Sequence, residues 1–181
     1  MDNRNSRAGF KQLAPAMLLL VLLSGCAGQI LQHQEAPIPH KSAWVLLPVR
    51  NLAEAPHAGA RIEDLLAARL RARGLELHTY PARLAPENGF PPTPNANLDK
   101  ARKWAKKQGF RYAVTGTVNE WRYKSGLDGE PAVGVTLRVI DLKEDRVVWT
   151  ASGSRTGWGF QSVSGTADTV LGNLVGGLEL K

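Results

Sequence analysis

Between Tyr112 and Ala151, apolar and polar residues alternate with a period of two in three closely spaced segments. Tyr112, Val114, Gly116 and Val118 interleave with Ala113, Thr115, Thr117 and Asn119. Val133, Val135, Leu137 and Val139 form the second segment, and Val147, Trp149 and Ala151 the third. A period of two belongs to strands, whose successive side chains point to opposite faces. The connections are too short for helical crossovers, so the three strands form an antiparallel meander. Lys143-Glu144-Asp145 reads as a tight hairpin turn, and Lys124 to Glu130 as a longer connection containing glycine.

The region before the meander has a different rhythm. Ala43 to Val49 is a near-continuous apolar run, suited to a strand buried on both faces. Gly59 to Gly74 spaces Ile62, Leu65, Leu66 and Leu70 along one helical face, with Gly74 as a left-handed cap. Leu75 to Tyr80 reads as a second strand, and Pro81 to Pro94 as a loop with five prolines. A second helix starts at Asn95 or Asn97 and runs to Gln108, apolar at Leu98, Ala101, Trp104 and Ala105 and basic on its other side. A last helix covers about Ser164 to Leu178, with Ala167, Val170, Leu171 and Leu174 inward. The order β-α-β-α-β-β-β-α predicts an α/β fold, a mixed sheet with helices packed on it, parallel at its start and antiparallel in the meander.

The front of the chain follows another logic. Arg4, Arg7 and Lys11 precede the uncharged run Leu13 to Leu23, the layout of a signal peptide. At ~1.5 Å per residue that run reaches only ~17 Å, against ~30 Å for a hydrocarbon core, so it is too short to span a bilayer. Leu23-Ser24-Gly25-Cys26 resembles the lipobox of bacterial lipoproteins. The resemblance implies removal of residues 1–25 and acylation of Cys26, with two or more chains for stable anchoring. Ala27 takes the place of the aspartate that commonly retains lipoproteins at the inner membrane, so the outer membrane is the expected address. Cys26 is the only cysteine, so the fold depends on its core and not on a disulfide. Residues 26–42 are expected to be a lipidated tether, with the polar, proline-containing stretch Gln29 to Lys41 as linker, and residues 43–181 a single domain.

Charge and motifs narrow the function. The whole chain carries +7, and the leader, with three basic residues and one acidic, accounts for +2 of it. Arg50 to Arg111 is basic, with twelve cationic residues to six anionic. Asn119 to Asp145 reverses the balance, with four to six. An exported lipoprotein meets no nucleic acid, so the basic half does not point to one. The four histidines, His33, His40, His57 and His78, have no metal-like spacing, and no G-x-S-x-G elbow, P-loop or dinucleotide fingerprint is present. Asp128 and Glu130 make a poor glycosidase pair in a glycine-rich loop. No catalytic residue, metal or cofactor is expected, and the chain does not read as an enzyme.

Several blocks of the second half are more distinctive than the fold requires. Asn119-Glu120-Trp121-Arg122-Tyr123-Lys124, Gly126-Leu127-Asp128-Gly129-Glu130-Pro131, Val135 to Asp141, Val148-Trp149-Thr150-Ala151-Ser152-Gly153 and Gly157-Trp158 together resemble the PelC family, lipoproteins of the Pel exopolysaccharide export system. The likeness runs from about Trp44 to Leu174 and includes Leu47-Pro48-Val49-Arg50-Asn51. The first half alone fits a wider class, the TolB N-terminal domain and the CsgG-type periplasmic proteins. The resemblance implies a dodecameric ring on the periplasmic face of the outer membrane, beneath an outer-membrane export porin. It implies an acidic funnel that guides a cationic exopolysaccharide for the biofilm matrix, and an aromatic belt against the membrane lipid. Asp128, Glu130 and Asp141 are the candidate lining, with Glu120 behind them; the alternative is that they are ordinary turn residues. Trp149 is the candidate belt residue, since Arg146, Thr150 and Ser152 beside it are polar; alternation with Val147 and Ala151 would make it core. The other functional reading is an envelope lipoprotein of the same fold that binds a protein partner or the cell wall.

Overall fold

The computed structural model describes residues 28–81, 94–125, 129–158 and 160–181, with the side chains of 94–97 left aside. The leader, Cys26, the stretch 82–93 and Asp128 lie outside the described residues.

Six strands form one mixed sheet: β1 (Ile30–Gln34), β2 (Trp44–Asn51), β3 (Leu77–Thr79), β4 (Tyr112–Tyr123), β5 (Pro131–Asp141) and β6 (Arg146–Thr156). Their order across the sheet is β1-β6-β5-β4-β2-β3. The helices are α1 (Ala58–Ala72), α2 (Pro94–Lys107) and α3 (Val163–Gly176). β2 runs parallel to both β3 and β4, and the β4-β5-β6 meander is antiparallel. The expected architecture is therefore present, with longer meander strands than the alternating cores alone indicate. No helix among the described residues is long and apolar enough to cross a membrane.

Two clusters make the core. On one face, α1 (Ile62, Leu66, Leu70) and α3 (Ala167, Val170, Leu171, Leu174) pack onto Trp44, Leu46, Val135, Leu137 and Trp149. On the other, α2 covers Val45, Leu47, Ala113 and Ile140 with Ala101 and Ala105. α1 lies so close over β2 that a Cβ on Gly59 would stand 2.5 Å from the Val49 carbonyl oxygen, so glycine is required there. Gly74 takes the expected left-handed conformation, with φ of 82°. α1 and α3 are joined across their outer flanks by Arg69, which donates to both carboxylate oxygens of Asp168 at 2.8 and 2.5 Å.

Two expectations need correction. The stretch Gln29 to Lys41 is not a free linker. Ile30 to Gln34 adds β1 antiparallel to β6, in register from Ile30 opposite Gly153 to Gln34 opposite Trp149. β6 would otherwise be an open edge, which proteins usually cover. Beyond β1, Ile38 is buried at 3% exposure and bridges to Leu180. Gln34 clamps the same C-terminal segment through bonds to the Glu179 carbonyl and amide, 2.8 and 3.0 Å.

Trp149 is core, not surface. A bulge between β5 and β6 shifts the register so that Val139 faces Trp149 while Ile140 faces Val147. Val148 and Trp149 are both buried in consequence, Trp149 at 1% exposure, and Val147 is turned out at 44%. Simple alternation cannot describe that segment.

Candidate functional site

The features that bear on function gather at the end of the sheet where β1 and β5 begin and β4 and β6 finish. β1 starts two residues after Gly28, and the intervening Gln29 carbonyl accepts a hydrogen bond from the Ser154 amide (3.3 Å). The Lys124 amide donates to the Glu130 carbonyl at 2.8 Å, closing the β4–β5 connection, and the Gly157 amide donates to the Pro131 carbonyl at 2.8 Å. These bonds lock the three chain segments into one end-surface.

From that surface the turn between β6 and α3 projects two aromatic rings. Trp158 is 74% exposed and Phe160 is fully exposed. The turn's described residues are bonded to one another locally. Gln161 accepts from the Trp158 amide (3.2 Å), and Ser162 caps α3 by accepting from the Gly165 amide (3.0 Å). Tyr123, 55% exposed, ends β4 at the same edge. Large apolar rings exposed to water mark a contact surface. The Gly157-Trp158 block is legible in the sequence; its exposure is not.

The acidic candidates do not form one cluster. Glu130 is half-buried at this end and borders, with Glu120, Lys124, Arg155 and Trp158, a groove of about 480 Å³. Glu120 is held by Arg122, whose Nε donates to it at 2.7 Å. Asp128 lies outside the described residues. Asp141 sits at the far end of β5, eleven residues from Glu130 and so ~35 Å away. It is 2% exposed, accepts the Lys143 and Glu144 amides at 2.9 and 3.0 Å and is bonded by the Arg111 guanidinium. Those bonds use its oxygens to build the β5–β6 turn. Asp141 is a turn residue and does not belong to a lining with Glu130.

The basic helix α2 meets an acid of its own chain. Arg102 and Lys106 reach Asp145 at 2.5 and 3.0 Å, and the Lys106 bond with the Arg102 charge holds the Asp145 carboxyl below its ordinary range. Lys100, Lys103 and Lys107 stay exposed. Among the described residues, no group of three histidine, cysteine or acidic side chains could hold a metal ion.

A second surface concerns the sheet itself. α2 covers only one half of its face, and beyond it β4, β5, β6 and β1 carry no helix among the described residues. There the floor is polar, with Glu54, Glu120 and Arg122 among its lining. Asn119 donates to the Thr136 hydroxyl (2.9 Å), which is bonded to the Ser152 hydroxyl (3.0 Å), and Gly134 and Ser154 continue the row. The hollow has a volume of about 690 Å³, with exposed Leu31 and Leu52 at its two sides.

No protein-family model matches the chain, and no curated protein matches it significantly. Solved structures do. A PelC dodecamer from Paraburkholderia phytofirmans, in a variant with one leucine replaced by methionine, is 34% identical, with a TM-score of 0.72 over 86% of this chain and 100% of that one. The PelC dodecamer from that organism in a second crystal form gives 33% identity and the same TM-score, covering 86% of this chain and 99% of that one. Lipoprotein GNA1162 from Neisseria meningitidis, 19% identical with a TM-score of 0.54 over 75% of this chain and 96% of its own, shares the fold. Identity at this level, across essentially the whole of the related chain, shows that this protein belongs to the PelC family.

Proposed function

We propose that this chain is a lipoprotein of the periplasmic face of the outer membrane, anchored through Cys26, that assembles as a homo-oligomeric ring and guides a cationic exopolysaccharide to an outer-membrane Pel export porin. The observation that carries the reading is its likeness to the PelC dodecamer at 34% identity over 86% of the chain. The anchor geometry supports it. Only three residues separate Cys26 from β1, so Ile30 lies within ~14 Å of the acylated position. That short reach brings the end-surface bearing Trp158, Phe160 and Tyr123 to the depth of the lipid headgroups, where an amphipathic indole is favoured. The membrane-facing aromatic is then Trp158, in place of the buried Trp149. Many copies of one such contact around a rim add to what the acyl chains supply.

With Asp141 withdrawn, Asp128 and Glu130 are the acidic lining. Like charges repeated around a ring focus potential and raise the local concentration of a cationic chain. The test uses a host whose Pel export depends on this chain. Cys26→Ser should leave the protein uncleaved or soluble, and Asp128→Lys with Glu130→Lys should lower secreted polymer at unchanged protein abundance. Normal membrane fractionation of Cys26→Ser would refute the anchor, and undiminished export by the double variant would remove both acids from the lining.

A further inference from the structure

The two flanks of α2 differ in what they meet. On one, Arg102 and Lys106 are paired with Asp145. On the other, Lys100 and Lys107 stand one turn either side of Trp104, because residues three and four apart are neighbours on a helix surface. Lys103 lies beside them. All three lysines are exposed, and no carboxylate pairs with them among the described residues. Asp99 on the helix and Glu76 just before β3 are the acids of these elements, so the balance here is cationic.

Trp104 belongs to a row of four rings. Tyr80 meets it edge-on with centroids 5.1 Å apart, Phe110 follows at 5.7 Å, and His78 lies 5.2 Å beyond Phe110. Tyr80, Trp104 and Phe110 pack against the smaller core cluster yet are only half-buried, and His78 is exposed. The Trp104 indole N–H and the Tyr80 hydroxyl have no hydrogen-bond partner among the described residues. A ring with its body against the core and its polar tip in water is suited to a contact that is part apolar and part hydrogen-bonded. Phe110 stands two residues before β4, whereas Tyr123 ends that strand eleven residues after Tyr112, ~35 Å away. The row and its lysines therefore lie at the opposite end of the sheet from Trp158.

We propose that this surface binds a carboxylate-bearing glycan, the chemistry of the cell wall, with sugars against the ring row and carboxylates on Lys100, Lys103 and Lys107. The C–H bonds of a sugar ring carry partial positive charge and suit the negative face of an aromatic ring. Sugar hydroxyls accept from the free indole N–H and exchange hydrogen bonds with the Tyr80 hydroxyl. Lysine ammonium groups are mobile point charges that follow carboxylates along a chain. An unbroken succession of rings suits a linear run of sugars more than the surface of an acidic protein. A cationic polymer would be repelled here, so this surface is separate from the path of an exported cationic chain. The inference rests on the envelope location proposed above, where the end of the sheet far from the lipid faces the periplasm; it does not rest on the ring or on export.

The test uses the full-length chain in mild detergent and cell-wall sacculi freed of protein with protease. The parent should sediment with the sacculi, be released as salt rises, and fail to bind sacculi whose carboxylates have been amidated. Lys100→Gln with Lys107→Gln should weaken binding about fivefold. Arg122→Gln with Lys124→Gln removes the same charge at the opposite end of the sheet and should leave binding within about twofold of the parent. Trp104→Leu should weaken it about tenfold with an unchanged circular-dichroism spectrum. The lysine pair leaves the packing untouched, so it decides the matter if Trp104→Leu unfolds. A parent that ignores the sacculi or binds amidated ones equally, equal losses in the two double variants, or full binding by a folded Trp104→Leu overturns the site. None of these results bears on the anchor, which the fractionation of Cys26→Ser decides separately.

Discussion

Replacing Trp149 with alanine separates two roles that a tryptophan on this strand can have. With Trp44, it heads the fully buried side chains, 1% exposed among Val139, Leu171 and Leu174 of the larger core cluster. Truncating a buried tryptophan to alanine costs ~3–5 kcal/mol, a large share of the ~5–15 kcal/mol that holds a domain together. At ~2–4 °C per kcal/mol for a domain of this size, the melting temperature should fall by ~6–20 °C. Trp149→Phe should behave differently. The indole Nε1 has no hydrogen-bond partner among the described residues, so the wild-type ring bears a desolvation penalty of ~1–3 kcal/mol that phenylalanine does not. That relief offsets much of the lost ring area and keeps Trp149→Phe within ~1.5 kcal/mol of the parent. Thermal and urea unfolding, followed by near-ultraviolet circular dichroism, give both numbers. If Trp149→Ala melts within ~3 °C of the parent, about 1 kcal/mol, the assignment of Trp149 to the core is wrong.

The companion substitutions discriminate other regions of the structure. Trp158→Ala removes an exposed ring, so its stability should stay within ~0.5 kcal/mol of the parent while binding to lipid vesicles and polymer export both decline; unchanged vesicle binding would remove it from the membrane contact. Ile38→Ala should cost ~2–5 kcal/mol in urea unfolding, whereas a residue in a free tether would cost nothing measurable. The Arg69 guanidinium holds the Asp168 carboxyl below its ordinary range, so the pair stabilises the fold above the unfolded carboxylate value of 3.8 and loses that contribution as pH falls through the lowered one. Both partners are about 40% exposed, which keeps the contribution under ~1 kcal/mol. Asp168→Asn should therefore be slightly less stable than the parent at pH 7 and equal to it in strong acid; a gap that persists in strong acid would assign its cause to packing.

What the sequence disclosed follows from the range over which each signal acts. The period of two in β4 and β5 and the apolar stripes of α1 and α3 are local, and both survive in the structure. The bulge at Val148 is not local. It inserts one residue without any compositional mark, and that single slip moves Val147 out and keeps Trp149 in. β1 is hidden for another reason. Its residues are almost all exposed, so its composition resembles a linker, and its partner β6 lies over a hundred residues away. Among the acids, charge is visible in the sequence and position is not. Asp141 resembles Glu130 until the Lys143 and Glu144 amides show its oxygens already occupied. Trp158 is the opposite case. It follows the last alternating strand, where periodicity is silent, and its exposure is seen only in the structure.

The closure of β1 onto β6 has a mechanical consequence. A lipid anchor that pulls on the domain applies its load at Gly28, along the axis of β1. Five register pairs, Ile30–Gly153 through Gln34–Trp149, then bear that load side by side in shear and do not unzip singly from an end. Behind them a second clamp takes over, where the Ile38 amide and carbonyl bond to Glu179 and Lys181 and the His40 amide bonds to the Lys181 carbonyl. The start and the close of the domain are thus fastened to each other at the point of traction. In the assembly proposed above, drag from a polymer would reach the membrane through these strands.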